Sequence, residues 1–454
     1  MSGGREGSGT VPRMRFTTGE VAEATGGEVF GRETEVDGVA IDSRLVQPGQ
    51  LFVPLVAERD GHDFIGAALA AGARAYLTSG PLEAGTAVRV ADTALALRGL
   101  GIAARGRLGD RVVGITGSVG KTSLKDLLAS VAATEFATTA SIGSFNNELG
   151  VPLTLVNAPD GTECTILEMG ARGIGHIAEL CAIGRPTIGV VTVVAGVHLE
   201  AFGSIDDVAT GKGELVAALP ASGTAVLNAD DVRVAAMASR TDATVLTFGQ
   251  DAGEVRATDV SLDEHLHPTF VLRTPWGVAD VHLAVAGRHQ VVNALGAAAA
   301  GLALGVPLDQ VVVGLGGARL SALRMDLATA EAGYRVLDDS YNANPTSMAA
   351  ALRSIDELPA TRRFAVVGTM AELGPNEAAE HHAIAVLAQE LGIRLLAVDQ
   401  PWYQVEGDDA VADVEAAVRR LHDLGLGDGD VVLVKASRSA GLDRAAAALL
   451  TPPT

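Results

Sequence analysis

The segment from Arg111 to Ala133 restricts the fold more than any other. RVVGIT (111–116) is an unbroken apolar run of strand length that stops at a glycine-rich turn. SLKDLLASVAA (123–133) then carries apolar residues at helical spacing. Further strand-length apolar runs stand at CTILEMG (164–170), TIGVVTVV (187–194) and TAVLNAD (224–230), with helical stretches between them. Buried strands that alternate with helices predict an α/β fold, a parallel sheet with helices on both faces.

The turn Gly117-Ser118-Val119-Gly120-Lys121-Thr122-Ser123 follows a strand and opens a helix. Backbone N–H groups and the helix dipole converge there on an anion. Lys121 supplies a point charge suited to the β- and γ-phosphates of a nucleotide, and Thr122 a hydroxyl suited to Mg2+. The strict Walker A pattern wants glycine five positions before Gly120, where this chain has Ile115. The segment fits the shorter TGxxGKT form instead. The bland alternative is an ordinary glycine turn with a chance Lys-Thr pair.

A chain of 454 residues is long for one domain. Residues 1–13, with MSGGREGSGT, lack the apolar core of a signal peptide and are expected to form a disordered tail. Residues 14–108 read as a small α/β domain, with strand signals at VDGVAID (36–42) and LFVPLV (51–56) and a helix-to-strand signal at FIGAALAAGARAYL (64–77). Arg105-Gly106-Arg107 reads as the linker into a central domain over 109–318. A third block, 319–454, has strand signals at YRVLDDS, RFAVVG, LLAVD and VVLVK and reads as an open Rossmann-like unit.

Hydrophobic residues make up 48% of the chain, enough for a sizeable core. The formal net charge of -21 argues against a nucleic-acid partner. Cys164 and Cys181 are too few for a disulfide framework and lack metal-type spacing, so they read as reduced, buried thiols of a cytoplasmic protein. No window approaches a membrane span. The run ALGAAAAGLALG (294–305) reads as a buried helix.

Glu168 ends an apolar strand, which aims its carboxylate at the carboxyl edge of the sheet, the ligand edge of such folds. A carboxylate there invites Mg2+. His198 follows TIGVVTVV by a short loop, and on its own it reads as readily as a loop histidine. Lys212 lies in SIDDVATGKGELVAALP (204–220), a helix with Ser204 at its N-cap and Asp207 three residues on. Gly211 and Gly213 flank it, each costing up to about 1 kcal/mol in a helix interior, which points to close approach on that face. The residue-level alternative for Lys212 is a solvated surface lysine.

The short phosphate loop resembles that of the Mur ligases and the related folylpolyglutamate synthases. Ser144-Phe145-Asn146-Asn147-Glu148-Leu149-Gly150-Val151-Pro152-Leu153-Thr154 resembles the FNNExGVPLT signature of the last-acting branch of that family, and Asp339-Ser340-Tyr341-Asn342-Ala343-Asn344-Pro345 its DxYNANP segment. Asp42-Ser43-Arg44, then Gly49 and Asp60-Gly61-His62, resemble a uridine-nucleotide domain shared with the preceding branch. No DNPR segment typical of that preceding branch is present. Gly287-Arg288-His289-Gln290-Val291-Val292-Asn293-Ala294 is similar to the family's GRHNxxNA helix start, with Gln290 where Asn is usual.

The resemblance implies three domains: a small UDP-binding α/β domain, a central P-loop ATPase domain and a Rossmann-like C-terminal domain. It implies ATP and two Mg2+ ions, the metals held by Thr122, Glu168, His198 and a Lys212 carbamylated by CO2. Gly117 to Ser123, Asn293, Arg324, Asp339, Tyr341 and Asn342 would hold the nucleotide, with Arg324 reaching the γ-phosphate. Ser43 and Arg44 would hold the uridine diphosphate, and Asn146 and Asn147 would face the sugar and peptide of a UDP-linked muropeptide. Lys121, Lys212, His198 and Arg324 would serve an acyl-phosphate route to an amide with D-alanyl-D-alanine. A monomer is expected. Thr369 replaces Asp in a GDMxELG-like segment and His176 stands where Glu is usual. These two positions leave room for a related ligase with another acid or amine. A non-catalytic nucleotide-binding regulator and a P-loop kinase or GTPase are the remaining alternatives.

Overall fold

The computed structural model describes residues 13–196 and 199–451. By Cα proximity the chain divides into two compact units. The first comprises the chain through Gly114 with Phe136–Gly170 and Ala178–Thr187; the second holds Ile115–Glu135, Ala171–Ile177 and everything from Ile188.

The first unit contains a five-stranded sheet in the order Glu28–Phe30, Thr86–Arg89, Ala75–Thr78, Leu51–Phe52, Val39–Ala40. The first pair is antiparallel and the others are parallel. Ala75–Thr78 is buried along its whole length, as a parallel strand covered on both faces must be. Phe52, Ile65, Ala68 and Tyr76 form the core beside it. The helix Thr93–Arg105 starts where the Asp92 carboxylate accepts the Ala94 and Leu95 N–H groups, at 2.8 and 2.9 Å. Its last residue corrects the linker reading. Arg105 is buried and donates to the Gly184 carbonyl at 2.8 Å, so it is an anchored helix end.

The unit also holds the parallel pair Thr138–Ala140 and Cys164–Glu168 and the fully buried helix Gly150–Val156. Asn157, just past that helix, accepts the Val39 N–H at 2.9 Å and donates to the Val39 carbonyl at 3.0 Å. One side chain therefore completes the hydrogen bonding of a strand residue 118 positions away.

In the second unit Ile188–Val191, Thr224–Asn228, Thr244–Gly249 and the start of Val255–Leu262 run parallel. Val255–Leu262, Pro268–Thr274 and Gly277–His282 then continue antiparallel. This extension departs from the purely parallel sheet expected for the central block. Its strands are exposed on one face, so they lack the continuous apolar run of a covered strand. The Ala-rich run is a buried helix, Gln290–Ala303, as expected.

The third block forms a six-stranded sheet in the order Asp326–Thr329, Arg335–Asp338, Val431–Lys435, Arg363–Val367, Arg394–Val398, Ala410–Val411. Every pair but the first is parallel. The four strands expected there are all present, and apolar clusters cover both faces of the sheet. No helix among the described residues is long and apolar enough to cross a membrane.

Candidate active site

The phosphate loop belongs to the second unit and is riveted from one side. The Ser118 N–H donates to the Val193 carbonyl at 2.7 Å, and its hydroxyl accepts the Ala195 N–H at 2.9 Å and donates to the Ala195 carbonyl at 3.1 Å. The Thr192 hydroxyl donates to the Val119 carbonyl at 2.6 Å. Gly120 caps the helix Lys121–Ala132 with a φ of 84°, and a Cβ there would lie 2.4 Å from Asn293 Oδ1. Only glycine fits. The Lys121 ammonium donates to the Gly117 carbonyl at 2.7 Å, which folds it over the turn.

Arg324 reaches the same loop from the third block. Its Nη2 donates to the Thr122 hydroxyl at 3.0 Å and its guanidinium lies 4.4 Å over the Tyr341 ring. The structure thus brings together Thr122, Arg324 and Tyr341, which lie up to 219 positions apart by number (341 − 122). Arg324 Nε is buried without a hydrogen-bond partner. Such a donor costs about 1–3 kcal/mol, which a phosphate oxygen at the loop would recover. The donor set therefore fits a nucleotide polyphosphate.

Asn293 is nearly buried beside Gly120, and its Nδ2 donates to Gln290 Oε1 at 2.8 Å. Gln290, the departure from the usual Asn, orients Asn293. Asp339 accepts from the buried Lys435 ammonium at 2.6 Å, and Lys435 also donates to the Asn342 carbonyl at 2.7 Å. Asn342 uses its own side-chain oxygen on the Ala343 N–H. Asp339 and Asn342 are thus placed as parts of a buried latch at the foot of the Tyr341 segment.

Sequence reasoning missed Lys435, His289 and His381. The signal for Lys435 was a lysine ending the apolar run VVLVK. The His289 ring is part-buried, and its desolvation holds its pKa below the ordinary histidine value, against the opposing pull of Asp339. His381 is also buried; its Nε2 accepts the Met370 N–H at 2.9 Å, so Nδ1 carries the proton and donates to the Glu377 carbonyl. Burial lowers its pKa as well.

Lys212 lies in the helix Ile205–Ala217, capped by Ser204 as expected. It is not a solvated lysine: it is 1% exposed, with its ammonium 5.8 Å over the Phe202 ring. The flanking glycines have the close neighbours that the sequence pointed to. A Cβ on Gly211 would meet Phe202 at 2.8 Å, and one on Gly213 would meet Arg240 at 2.2 Å. His198 lies outside the described residues.

In the first unit Glu168 ends its strand, 1% exposed. Its Oε1 accepts the Asn146 amide at 2.9 Å and its N–H donates to the Ser141 hydroxyl at 3.2 Å. Asn146 therefore orients the carboxylate. Asn147 Oδ1 accepts the Gly150 N–H at 2.9 Å and closes the turn into the helix Gly150–Val156. Ser43 and Arg44 lie on a single 3-10 turn. Asp42 grips the exposed Arg44 guanidinium at 2.6 Å, and this hydrogen bond holds the Asp42 carboxyl down at about 2. In the second unit, His176 Nδ1 accepts the Arg172 N–H at 3.4 Å, and the Thr369 carbonyl accepts the Ser437 N–H at 2.9 Å.

A phosphate loop with an arginine held on it, one buried donor of that arginine still unmet, describes a protein built to bind a nucleotide polyphosphate. Comparison with known proteins agrees. Residues 35–99 match the Mur ligase family catalytic domain, 115–301 the Mur ligase middle domain, and 323–438 the Mur ligase glutamate ligase domain. The chain is 41% identical to the UDP-N-acetylmuramoyl-tripeptide--D-alanyl-D-alanine ligase of Mycobacterium tuberculosis, over 97% of this chain and 99% of that one. It superposes with a TM-score of 0.87 on MurF from Acinetobacter baumannii, at 30% identity over 97% of this chain and all of that one. MurF ligase from Thermotoga maritima in complex with ADP matches with a TM-score of 0.78 and 26% identity, over 90% and 96% of the two chains. The chain belongs to the Mur ligase family.

Proposed function

We propose that this enzyme joins D-alanyl-D-alanine to a UDP-N-acetylmuramoyl-tripeptide with hydrolysis of ATP to ADP and phosphate, in the cytoplasmic assembly of peptidoglycan precursor. The observation that carries the reading is the contact of Arg324 with Thr122, which holds a cationic side chain from the third block against the phosphate loop. A carboxylate oxygen of the tripeptide attacks the γ-phosphorus, the bond to the β-phosphate oxygen breaks, and ADP leaves. The amine of the dipeptide attacks the acyl carbon, phosphate departs and an amide remains. Lys121 and Arg324 face the negative charge of the transferring group, work that is mainly electrostatic. Bound Mg2+ would add Lewis-acid stabilisation of that charge.

Thr122, Glu168, His198 and a carbamylated Lys212 would hold two Mg2+ ions. The Thr122 hydroxyl, which accepts from Arg324, would be the metal ligand on the phosphate loop. Glu168 is oriented for this work by Asn146. Ser43 and Arg44 would face the uridine diphosphate end, and Asn293 the adenine. The same reading places domain boundaries near residues 108 and 318 and treats the chain as acting alone. The test is mass-spectrometric detection of the pentapeptide product from ATP, UDP-muramoyl-tripeptide and D-alanyl-D-alanine. Product from this amine supports the reading. Product only from other amines in a panel would transfer the assignment to a related ligase and place the difference at His176 and Thr369.

A further inference from the structure

The antiparallel extension of the second unit carries a cluster that the ligase reaction does not use. Asp263 opens the turn between Val255–Leu262 and Pro268–Thr274, and its Oδ1 accepts the N–H groups of His265 and His267 at 2.9 and 2.8 Å. That spends one carboxylate oxygen and fixes the other, Oδ2, 3.2 Å from His267 Nδ1. A second imidazole arrives from the neighbouring strand. His282 stands opposite Thr269 in the ladder, and its Nδ1 lies 3.0 Å from the Thr269 hydroxyl. A hydrogen bond at one ring nitrogen is how proteins orient the other toward a metal.

One donor atom from each of Asp263, His267 and His282 lies within 4.8 Å of the others. Around a tetrahedral ion at the usual 2.0–2.1 Å, donors stand roughly 3.4 Å apart, a small rotamer adjustment for partly exposed side chains. Two imidazoles and one carboxylate suit zinc-class transition metals, whereas Mg2+ and Ca2+ prefer oxygen throughout. The simpler reading, an ordinary turn-capping Asp–His pair, accounts for Asp263 and His267 but gives His282 no part.

We propose that Asp263, His267 and His282 form a binding site for a zinc-class divalent ion, with water completing the coordination. The site would fasten a turn that matters to the unit. Leu266, inside it, is wholly buried in the cluster that includes Leu337, Leu352 and Ile355 of the third block. Arg335 donates to the Glu264 carbonyl at 3.1 Å, and the Gly287 N–H donates to the Leu266 carbonyl at 2.9 Å. A metal on Asp263 and His267 would therefore clamp the loop that plugs the third block's core.

The test uses the full chain, stripped of metal by a chelator and held in millimolar Mg2+. Zn2+ is titrated calorimetrically into the parent and into a His267→Ala/His282→Ala double variant, and thermal unfolding is followed with and without Zn2+. Asp263 is left intact because it caps the turn. The parent is expected to take up one equivalent more than the variant, and Zn2+ to raise the unfolding temperature of the parent alone. Equal uptake by both proteins, or no uptake by the parent at micromolar Zn2+, overturns the proposal. Should the alanine pair fail to fold, the His267→Gln/His282→Gln pair, which keeps polar side chains on the turn, gives the same comparison.

Discussion

Lys212 is a long cationic side chain sealed in a helix face at 1% exposure, with Phe202 across it. Burying an ammonium is expensive unless other groups compensate. The proposed carbamylation by CO2 would replace the cation by an anionic oxygen donor, which suits a metal site. Lys212→Ala is expected to lower turnover by at least about 100-fold, the usual scale for removing a metal-orienting or charge-stabilising group. Short carboxylic acids should restore part of it by supplying the missing oxygens. Turnover equal to the parent would remove Lys212 from the site. The residue scale is also where sequence reading was weakest. It selected Asp339, Asn342, Asn146 and Asn147 for ligand roles, and no local pattern showed the protein groups that each also engages. Asp339 meets Lys435 across 96 positions, a pairing that no local pattern encodes.

Elements were legible where burial is two-sided. RVVGIT, TAVLNAD and VVLVK are continuous apolar runs because helices cover both faces of their sheets, and each became a strand. The antiparallel strands Val255–Leu262 and Gly277–His282 were not read, since one face is exposed and their pattern is dilute. The short strand Val39–Ala40 depends on tertiary support instead. Asn157 provides two hydrogen bonds to Val39. Asn157→Ala strips both partners from a buried backbone and is expected to destabilise the first unit by about 2 kcal/mol, since each orphaned buried group costs about 1–3 kcal/mol. Urea unfolding measures this. A midpoint unchanged from the parent would mean that Val39 finds other partners.

At the scale of the molecule, the three-block plan was legible from the alternation of strands and helices. A role for Arg324 at the γ-phosphate was expected from family resemblance and not from spacing; its contact with Thr122 was not foreseen. Stability against pH is a second whole-molecule property. His381 is buried and the part-buried His289 ring is desolvated, and both pKa values are lowered for that reason. The unfolded chain, with ordinary histidines near 6.5, then binds more protons than the folded one just below that pH. Stability from this source is complete above about 6.5 and declines as pH falls below it, by up to about 1.4 kcal/mol per pH unit for each histidine. Denaturant midpoints between pH 7.5 and 5.5 should fall accordingly; a flat or rising midpoint contradicts the assignment of two neutral, desolvated imidazoles.

The central claim is that the phosphate loop, Lys121 and Arg324 serve transfer of the γ-phosphoryl group to a substrate carboxylate. Tripeptide labelled with 18O in the reacting carboxylate tests it directly. One labelled oxygen is expected to leave in the released phosphate, alongside ADP, and only when D-alanyl-D-alanine completes the turnover. Amide formed with unlabelled phosphate, or with AMP and pyrophosphate in place of ADP, would contradict the account.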